Sequence, residues 1–478
     1  MIDMSIAEIA RAIGGTFVGS SAGSTTQIAE AVVAGTVRTD SRAVERGDIF
    51  FALPGEVTDG HLFVSAAVDA GAALVVAERP VEADVAQIVV ADGVVALSDL
   101  ARDVVSRVRA GGELKVVAVT GSNGKTTTKN MLRAILGAEG KTVAPVGSFN
   151  NEVGAPISML GIEHDTKYLV VEMGADGVGD IAKLVSVAKP DVGIVLTVGL
   201  AHIGKFGSAD AIELAKGEMV ADLPPTAVAV LNADDSRVVR MAQRTTARVQ
   251  WFGLSASADV RAEAVETTAS GTSFTVVADG ERTRVNLRIL GEHHAMNALA
   301  AITAARAIGI PIERSVEALE SLVRAERWRM EVLDGPDGVV IINDAYNASP
   351  DSMAAALKTL AELTRGDSHR SVAVLGEMAE LGDFADDEHD RIGRLVVRLN
   401  IGQLIVVGHN ARHIHNAAGL EGSWDGESLL VETADEAYAL VRDRLREGDV
   451  VLVKSSKSAG LRLLGDRLAG LESSEVPA

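Results

Sequence analysis

Cysteine is missing from all 478 positions of this chain, and aromatic residues make up only 3% of it. The absence of cysteine excludes disulfides and thiolate metal sites and is typical of a reducing compartment. No apolar run approaches the roughly 20 residues of a membrane span. The N-terminal residues show neither the basic stretch nor the apolar stretch of a signal peptide. We therefore expect a cytoplasmic protein without membrane insertion.

Positive charge is also scarce, since 45 Lys and Arg against 66 Asp and Glu give a net charge of −21. This balance opposes broad nucleic-acid binding, which requires a basic face. It does not oppose a small phosphorylated ligand, for which a few local cations suffice. The rest of the composition, 47% hydrophobic and 23% charged, is that of a globular protein, and the length allows about three domains.

Changes in composition divide the chain into three blocks, at residues 1–112, 113–324 and 325–478. The stretch Ala110-Gly111-Gly112 predicts a linker after the first block. In the second and third blocks, β-branched runs alternate with segments of helical period, which predicts parallel sheets covered on both faces by helices. Polar alternation over residues 259–290 predicts a small antiparallel excursion. The fold class is therefore α/β.

The most informative stretch follows the apolar run at residues 116–119 and predicts a phosphate-binding loop. It consists of Thr120, Gly121, Ser122, Asn123, Gly124, Lys125, Thr126 and Thr127. Backbone N–H groups at a helix N-terminus would face the phosphates, Lys125 would reach their oxygens, and the Thr126 hydroxyl would ligate Mg²⁺. The alternative is a glycine turn with a solvated lysine, because Val119 stands where the general pattern has glycine. We favour a nucleoside triphosphate site, since the turn, the lysine and the hydroxyls occur together after a strand.

Three further residues follow apolar runs of the second block and are candidates for chemistry. Glu172 comes directly after residues 168–171, where a carboxylate can hold Mg²⁺ or simply cap a helix. His202 lies in a glycine-containing loop after residues 195–201, either as a ligand or as an ordinary surface histidine. Lys216 lies on the next helical stretch, and its spacing alone favours a solvated lysine.

Polar groups elsewhere are open to both a structural and a functional interpretation. Asp344, Tyr346 and Asn347 follow an apolar strand and precede Pro350, so they form either a substrate-facing loop or a capped polar turn. Asn297 falls one turn into a predicted helix and is a candidate for reading a base edge. Spacing alone favours plain turns for two other sets, which are Asn150 with Asn151 and Asp40 with Ser41 and Arg42.

Taken together, these segments resemble the Mur ligases, the ATP-dependent amide-forming enzymes of peptidoglycan precursor synthesis. The segments that carry the resemblance are Thr-Gly-Ser-Asn-Gly-Lys-Thr-Thr-Thr (120–128), Phe-Asn-Asn-Glu-Val-Gly-Ala-Pro (149–156), Glu-Met-Gly-Ala (172–175), Ala-His (201–202), Ala-Lys-Gly-Glu (215–218), Gly-Glu-His-His-Ala-Met-Asn-Ala-Leu-Ala-Ala (291–301) and Arg-Met-Glu-Val (329–332). The resemblance implies an N-terminal UDP-binding α/β domain, a central P-loop parallel-sheet ATPase domain and a C-terminal Rossmann-like domain. The chain departs from the family pattern at His293-His294, where His-Asn is usual.

Within the family, residues 344–350, 374–382 and 451–456 are similar to those of the last cytoplasmic member. That resemblance implies ligation of D-alanyl-D-alanine to UDP-N-acetylmuramoyl-tripeptide through an acyl phosphate, with ATP and Mg²⁺ and with no nucleic-acid partner, in a chain that we expect to be a monomer. It also implies catalytic roles for Lys125, His202 and Lys216, and a metal site formed by Thr126, Glu172, His202 and a carbamylated Lys216. Beside the phosphate loop, it implies that ATP is contacted by Asn297, Arg329 and Asp344. It implies that the UDP-sugar is bound by Asp40, Ser41, Arg42, Asn150 and Asn151, and the amine substrate by Tyr346 and Asn347.

Three alternatives stay open on sequence alone. Another ligase of the superfamily would add a third amino acid to UDP-N-acetylmuramoyl-dipeptide, or glutamate to folate. A P-loop ATPase switch would hydrolyse ATP without either peptide substrate. A UDP-sugar binding module would bind its ligand without ATP turnover.

Overall fold

The computed structural model describes residues 1–18, 28–55, 57–145, 147–323, 326–366, 369–422 and 424–471. Within these ranges, three α/β units follow one another along the chain, each built around its own sheet. The predicted boundary between residues 324 and 325 lies outside the described residues. None of the described helices is long and apolar enough to cross a membrane.

The N-terminal unit contains a mostly parallel sheet of strand order β2-β7-β6-β5-β4, in which β2 alone is antiparallel. Its elements are β1 (Met4–Ser5), helix Ile6–Ala12, β2 (Thr16–Val18), β3 (Val32–Val33), β4 (Val37–Arg38), the 3₁₀ turn Ser41–Ala43, β5 (Ile49–Ala52), the 3₁₀ turn Gly60–Phe63, helix Val64–Asp69, β6 (Leu74–Ala77), β7 (Ala86–Val89) and helix Gly93–Gly111. The predicted linker is wrong at Ala110 and Gly111, which belong to the last helix. The buried apolar face of that helix, which includes Leu97, Leu100 and Val104, outweighs the glycine at its end.

The central unit contains a sheet of order β16-β15-β14-β13-β12-β11-β8-β10-β9. Its elements are β8 (Lys115–Thr120), helix Lys125–Glu139, β9 (Thr142–Val143), helix Gly154–Met159, β10 (Tyr168–Glu172), helix Asp180–Ala188, β11 (Val192–Val195), helices Ile203–Phe206 and Ala209–Ala221, β12 (Val228–Asn232), helix Ser236–Met241, β13 (Arg248–Gly253), β14 (Val260–Thr268), β15 (Gly271–Ala278), β16 (Glu281–Leu287), and helices Glu292–Ala307 and Ile312–Glu320. Strands β8 to β13 run parallel, whereas β14, β15 and β16 form antiparallel pairs. This confirms both the alternation and the antiparallel excursion.

The third unit contains a sheet of order β17-β18-β22-β19-β20-β21, parallel except for the edge strand β17. Its elements are β17 (Glu331–Asp334), β18 (Val340–Asn343), helix Pro350–Leu363, β19 (Ser371–Leu375), helix Ala385–Arg398, β20 (Gln403–Val407), helix Arg412–Leu420, β21 (Glu427–Val431), helix Ala434–Arg444, β22 (Val450–Lys454) and helix Arg462–Leu468. The apolar runs predict β18, β19, β20 and β22, which are almost wholly buried. They miss β17 and β21, because these edge strands are only partly buried and mix polar with apolar residues.

The carboxyl ends of the central and third sheets face each other. The Ser349 hydroxyl donates to Asn123 Oδ1 at 2.9 Å, and Leu200 N donates to Asp351 Oδ2 at 3.2 Å. Gly204 N donates to the Glu380 carbonyl at 3.0 Å. Because ligands of parallel sheets collect at these ends, the seam between the two units is the place to look for a site.

Candidate active site

The phosphate loop begins where β8, the strand between β10 and β11, ends. Gly124 precedes helix Lys125–Glu139 with φ +85°, a left-handed conformation that favours glycine. A Cβ at this position would lie 2.3 Å from Asn297 Oδ1, so the loop and Asn297 are in close contact. No side chain caps the N-terminus of this helix, and its first-turn N–H groups can therefore serve an anion.

Other residues of the predicted loop fix its shape. Lys125 Nζ donates to the Gly121 carbonyl at 2.8 Å across the loop, and burial lowers the pKa of this lysine. Ser122 Oγ accepts from Gly199 N at 2.9 Å, which ties the loop to the segment after β11. Thr120 is fully buried and donates to the Met173 carbonyl at 2.7 Å, so its side chain links β8 to the end of β10.

Glu172 and Thr126 supply oxygen ligands of the kind that Mg²⁺ takes. Glu172 ends β10 and is only 1% exposed. Its Oε1 accepts from Asn150 Nδ2 at 2.8 Å and from Thr126 Oγ1 at 3.3 Å. Its Oε2 is buried without a hydrogen-bond partner among the described residues. A buried carboxylate oxygen left unpaired beside a threonine hydroxyl fits a bound divalent cation.

No group of three or more His, Cys, Asp or Glu side chains forms a metal site within the described ranges.

His202 and Lys216 also reach the region of Lys125. His202 Nδ1 pairs with the carboxylate of Glu380 from the third unit. Burial, and then the charge of Lys125, lower the pKa of His202. Lys216 is only 2% exposed, so the solvated position favoured by spacing alone is wrong. Burial, with Lys125 as the next cause, lowers the pKa of Lys216 to about 7.

The third unit contributes the opposite wall of the site. Arg329 Nη2 donates to Thr126 Oγ1 at 3.2 Å, and its guanidinium lies 4.2 Å from the ring centroid of Tyr346. Asp344 Oδ1 accepts from Met330 N at 3.0 Å, and Asp344 Oδ2 pairs with Lys454 Nζ at 2.6 Å. Asp344 therefore fixes the backbone beside Arg329.

His294 is 3% exposed, with a buried Nε2 that lacks a hydrogen-bond partner in the described structure. Its Nδ1 lies 3.4 Å from Asn297 Nδ2. Burial holds the pKa of His294 well below its usual value, and burial lowers that of His293 to about 4. Both imidazoles are thus neutral near pH 7, when each can donate one hydrogen bond and accept one.

One cleft of about 1400 Å³ unites most of the predicted site residues. This volume exceeds the range of about 300–1,000 Å³ for a single small-molecule pocket, and so it suits several substrates at once. The predicted residues that line it are Ser122, Asn123, Gly124, Lys125, Thr126, Thr127, Asn150, Asn151, Glu172, His202, Lys216, Asn297, Arg329, Asp344, Tyr346 and Asn347.

The remaining predicted residues do not line this cleft. Thr120 and Gly121 lie directly before it in the phosphate loop. Asp40, Ser41 and Arg42 lie on an exposed turn of the N-terminal unit, where Asp40 accepts from Arg42 N at 3.0 Å and pairs with its guanidinium at 2.6 Å.

Several residues in or beside the site are not predicted from the sequence. Lys129 is fully buried one helical turn after Lys125. Ser148 lies within hydrogen-bond distance of Thr126, Arg329 and Tyr346. Lys454 ends β22, so the rule that selected Asp344 after β18 also applies to it. Glu380 carries no local signal, because its partner His202 is distant in sequence.

Known proteins match the chain along nearly its whole length. Three family models match: the Mur ligase family catalytic domain at residues 33–108, the Mur ligase middle domain at 119–305, and the Mur ligase glutamate ligase domain at 328–457. A UDP-N-acetylmuramoyl-tripeptide–D-alanyl-D-alanine ligase of Mycobacterium tuberculosis is 42% identical, covering 98% of each chain.

Solved structures agree with this match. MurF from Acinetobacter baumannii has a TM-score of 0.87 at 30% identity and covers 98% of this chain and 99% of its own. MurF ligase from Thermotoga maritima, solved in complex with ADP, has a TM-score of 0.80 at 28% identity over 91% and 97% of the two chains.

Proposed function

The chain belongs to the Mur ligase family, and we propose that it joins D-alanyl-D-alanine to UDP-N-acetylmuramoyl-tripeptide at the expense of ATP. The observation that carries the proposal is a single cleft in which the phosphate loop of the central unit faces the polar carboxyl edge of the third sheet. The relative from M. tuberculosis, which bears the name of this ligase, matches 98% of the chain and so covers all three units.

ATP binds through the phosphate loop, with Lys125 and the first-turn N–H groups of its helix on the phosphate oxygens. The terminal carboxylate of the tripeptide attacks the γ-phosphorus, and ADP leaves. Lys125 and Arg329 offset the negative charge that builds on the transferred oxygens. The product of this step is an acyl phosphate on the tripeptide.

Mg²⁺ would be held by Thr126 and Glu172, with His202 and a carbamylated Lys216 as further ligands. It would supply charge stabilisation for the phosphoryl transfer. A lysine with a pKa of about 7 has a substantial neutral fraction at physiological pH, and the neutral amine is the form that adds CO₂. The resulting carbamate would replace a cation by an anionic oxygen ligand.

The free amine of D-alanyl-D-alanine then attacks the acyl carbon, and phosphate leaves from the tetrahedral intermediate to give the amide. Tyr346 and Asn347 lie on the wall from the third unit, where we place this substrate. Asn297, Asp344 and Arg329 contact the ATP side, and Asn150 and Asn151 contact the UDP-sugar substrate inside the cleft. Asp40, Ser41 and Arg42 would meet its uridine end. Because water hydrolyses acyl phosphates, the two walls must close around this step.

The domain division of residues 1–112, 113–324 and 325–478 assigns UDP-sugar, ATP and amine-substrate binding in that order. Both ATP and UDP-linked precursors are cytoplasmic metabolites, which supports a cytoplasmic location. We also propose that the chain acts as a monomer. Light scattering of the protein as it elutes from a size-exclusion column tests this oligomeric state.

Mass spectrometry of the product tests the function directly. Incubation with MgATP, UDP-N-acetylmuramoyl-tripeptide and D-alanyl-D-alanine should yield the pentapeptide, with one ADP and one phosphate for each amide. Single amino acids in place of D-alanyl-D-alanine should give no product. Product from a single amino acid, or ATP hydrolysis without either peptide substrate, would contradict the proposal.

A Lys125→Ala variant tests the assignment of the phosphate loop. It should lose ATP turnover while its circular dichroism stays unchanged, because the hydrogen bond that Lys125 Nζ makes within the described structure goes to the Gly121 carbonyl of the same loop. Near-normal turnover would overturn the assignment of the phosphate loop.

A further inference from the structure

Lys129 is a buried cation that the mechanism above does not use. It lies on helix Lys125–Glu139 and is fully buried. Its Nζ donates to the carbonyls of Pro145 and Gly147 at 2.9 and 2.8 Å. Burial lowers the pKa of Lys129 to about 8, with Glu172 acting in the opposite direction. An ammonium in the interior is costly unless it is well hydrogen-bonded, so an apolar side chain would fill this space at lower cost.

The two carbonyls belong to the segment between β9 and helix Gly154–Met159, which carries four residues of the cleft, Ser148, Asn150, Asn151 and Glu152. Ser148 Oγ lies 3.2 Å from Thr126 Oγ1, 3.4 Å from Arg329 Nη2 and 3.2 Å from Tyr346 Oη. Asn150 donates to Glu172 Oε1 at 2.8 Å, and its carbonyl accepts from Gly174 N at 2.7 Å. Ser148 thus touches both walls of the cleft.

Lys129 itself does not line the cleft. It therefore acts from behind the cleft, and the hydrogen bonds that it makes go to the backbone of the neighbouring segment. Its position fits this role, because it lies one turn after Lys125 on the helix that the phosphate loop opens. One helix thus carries both the residue for the phosphates and the residue for the neighbouring segment.

We propose that Lys129 is a positioning residue, which fixes the backbone at Pro145 and Gly147 so that Ser148 joins Thr126 to the Arg329–Tyr346 wall. The role in catalysis rests on the function proposed above. Loss of the ammonium leaves two carbonyls without their donor and lets the segment shift. ATP would still bind to the phosphate loop, but Arg329 and Tyr346 of the third unit would no longer be correctly placed against it.

The test compares K129M, which keeps the length of the side chain, with K129R, which keeps the charge. The exposed Arg133 lies one further turn along the same helix, so R133M is the matched control. In K129M, we expect kcat to fall at least about tenfold while the KM for ATP changes less than about threefold. K129R should recover part of kcat, and R133M should behave as wild type.

Hydrogen exchange separates positioning from general stability. K129M should exchange faster within residues 142–145 and 147–153 and at the wild-type rate in the rest of the central sheet. The double variant K129M/S148A should lose little more activity than either single variant, because both act through Ser148. Unchanged kcat in K129M, a uniform rise in exchange, or effects that multiply in the double variant would overturn the proposal.

S148A keeps the proposal testable if K129M does not fold, because it must then reproduce the loss of kcat by itself. Failure of the wild-type protein to form the pentapeptide would refute the proposed function. The exchange pattern of K129M would still decide whether Lys129 holds the segment.

Discussion

Substitution of Gly124 by alanine tests the phosphate loop at its most constrained point. The residue has φ +85°, and a β-carbon there would lie 2.3 Å from Asn297 Oδ1 and 3.2 Å from Leu196 Cδ1. The left-handed backbone alone costs a residue with a β-carbon about 1–2 kcal/mol. Asn297 must also move away, because no β-carbon tolerates so close a contact. Together these effects should weaken ADP binding at least about tenfold, since each 1.4 kcal/mol is a factor of ten.

Gly137 supplies a matched control on the same helix. A β-carbon there would meet nothing within 4 Å, and the position is exposed. G137A should therefore stabilise the protein by about 0.5–1 kcal/mol and leave nucleotide binding unchanged. Both variants add the same methyl group, at a left-handed and crowded position in G124A and at an open helical position in G137A.

Titration calorimetry with MgADP and thermal unfolding of both variants provide the measurements. A double variant, G124A/N297A, should bind ADP more tightly than the product of the single losses predicts, because the shortened side chain removes the collision. If G124A binds ADP as the wild type does, or if the two losses simply multiply, the assigned contact between the loop and Asn297 is wrong.

Three further outcomes are expected. Lys216→Ala should lose activity that short carboxylic acids partly restore. In the wild type supplied with ¹³C-bicarbonate, the ¹³C signal of the carbamate should grow as the pH rises through about 7, the pKa of Lys216. An ordinary lysine would need a pH near 10. Arg329→Lys should lower kcat/KM for ATP by about 10- to 100-fold, because an ammonium cannot both lie flat on Tyr346 and donate to the loop, and wild-type kinetics would contradict this. Asp449→Ala should cost about 2–3 kcal/mol on thermal unfolding, because it removes the buried carboxylate that pairs with Arg370 and leaves that partly buried guanidinium with neutral acceptors. Asp390→Ala, which breaks the exposed pair with Arg394, should cost at most about 0.5 kcal/mol.

Local patterns in the sequence were enough to predict most of the sheets and the region of the site. Residues 168–171 and 450–453 are apolar at every position, as strands buried on both faces must be. Glu172 and Asp344 were identified because they follow such strands, and both lie on the cleft. The rule works because parallel strands end at one edge of a sheet, whatever the rest of the fold does.

The same patterns could not predict how the units meet. The pairing of His202 with Glu380 joins positions 178 residues apart and depends on how two separate sheets dock. The helical period predicts a solvated Lys216, because a period of 3.6 shows which face of a helix is apolar and not which neighbour covers it; the structure buries this residue. The sequence likewise carries no signal for the burial of Lys129, because its partners are backbone carbonyls, which every residue has.

The distribution of charge at the cleft indicates that a bound nucleotide completes the electrostatics of the active site. The chain has a net charge of −21, yet Lys125, Lys129 and Arg329 lie near one buried carboxylate, Glu172, and Lys216 lies within electrostatic reach of Lys125. Burial lowers the pKa of all three lysines, and Lys125 further lowers that of Lys216. Phosphate groups would reverse this effect, because anions favour the protonated lysines, while a divalent cation would pair with the Glu172 oxygen that protein donors leave unsatisfied. Without substrate, these buried charges destabilise one another. Around MgATP their interactions would become favourable, so binding of MgATP would offset the free-energy cost of burying them.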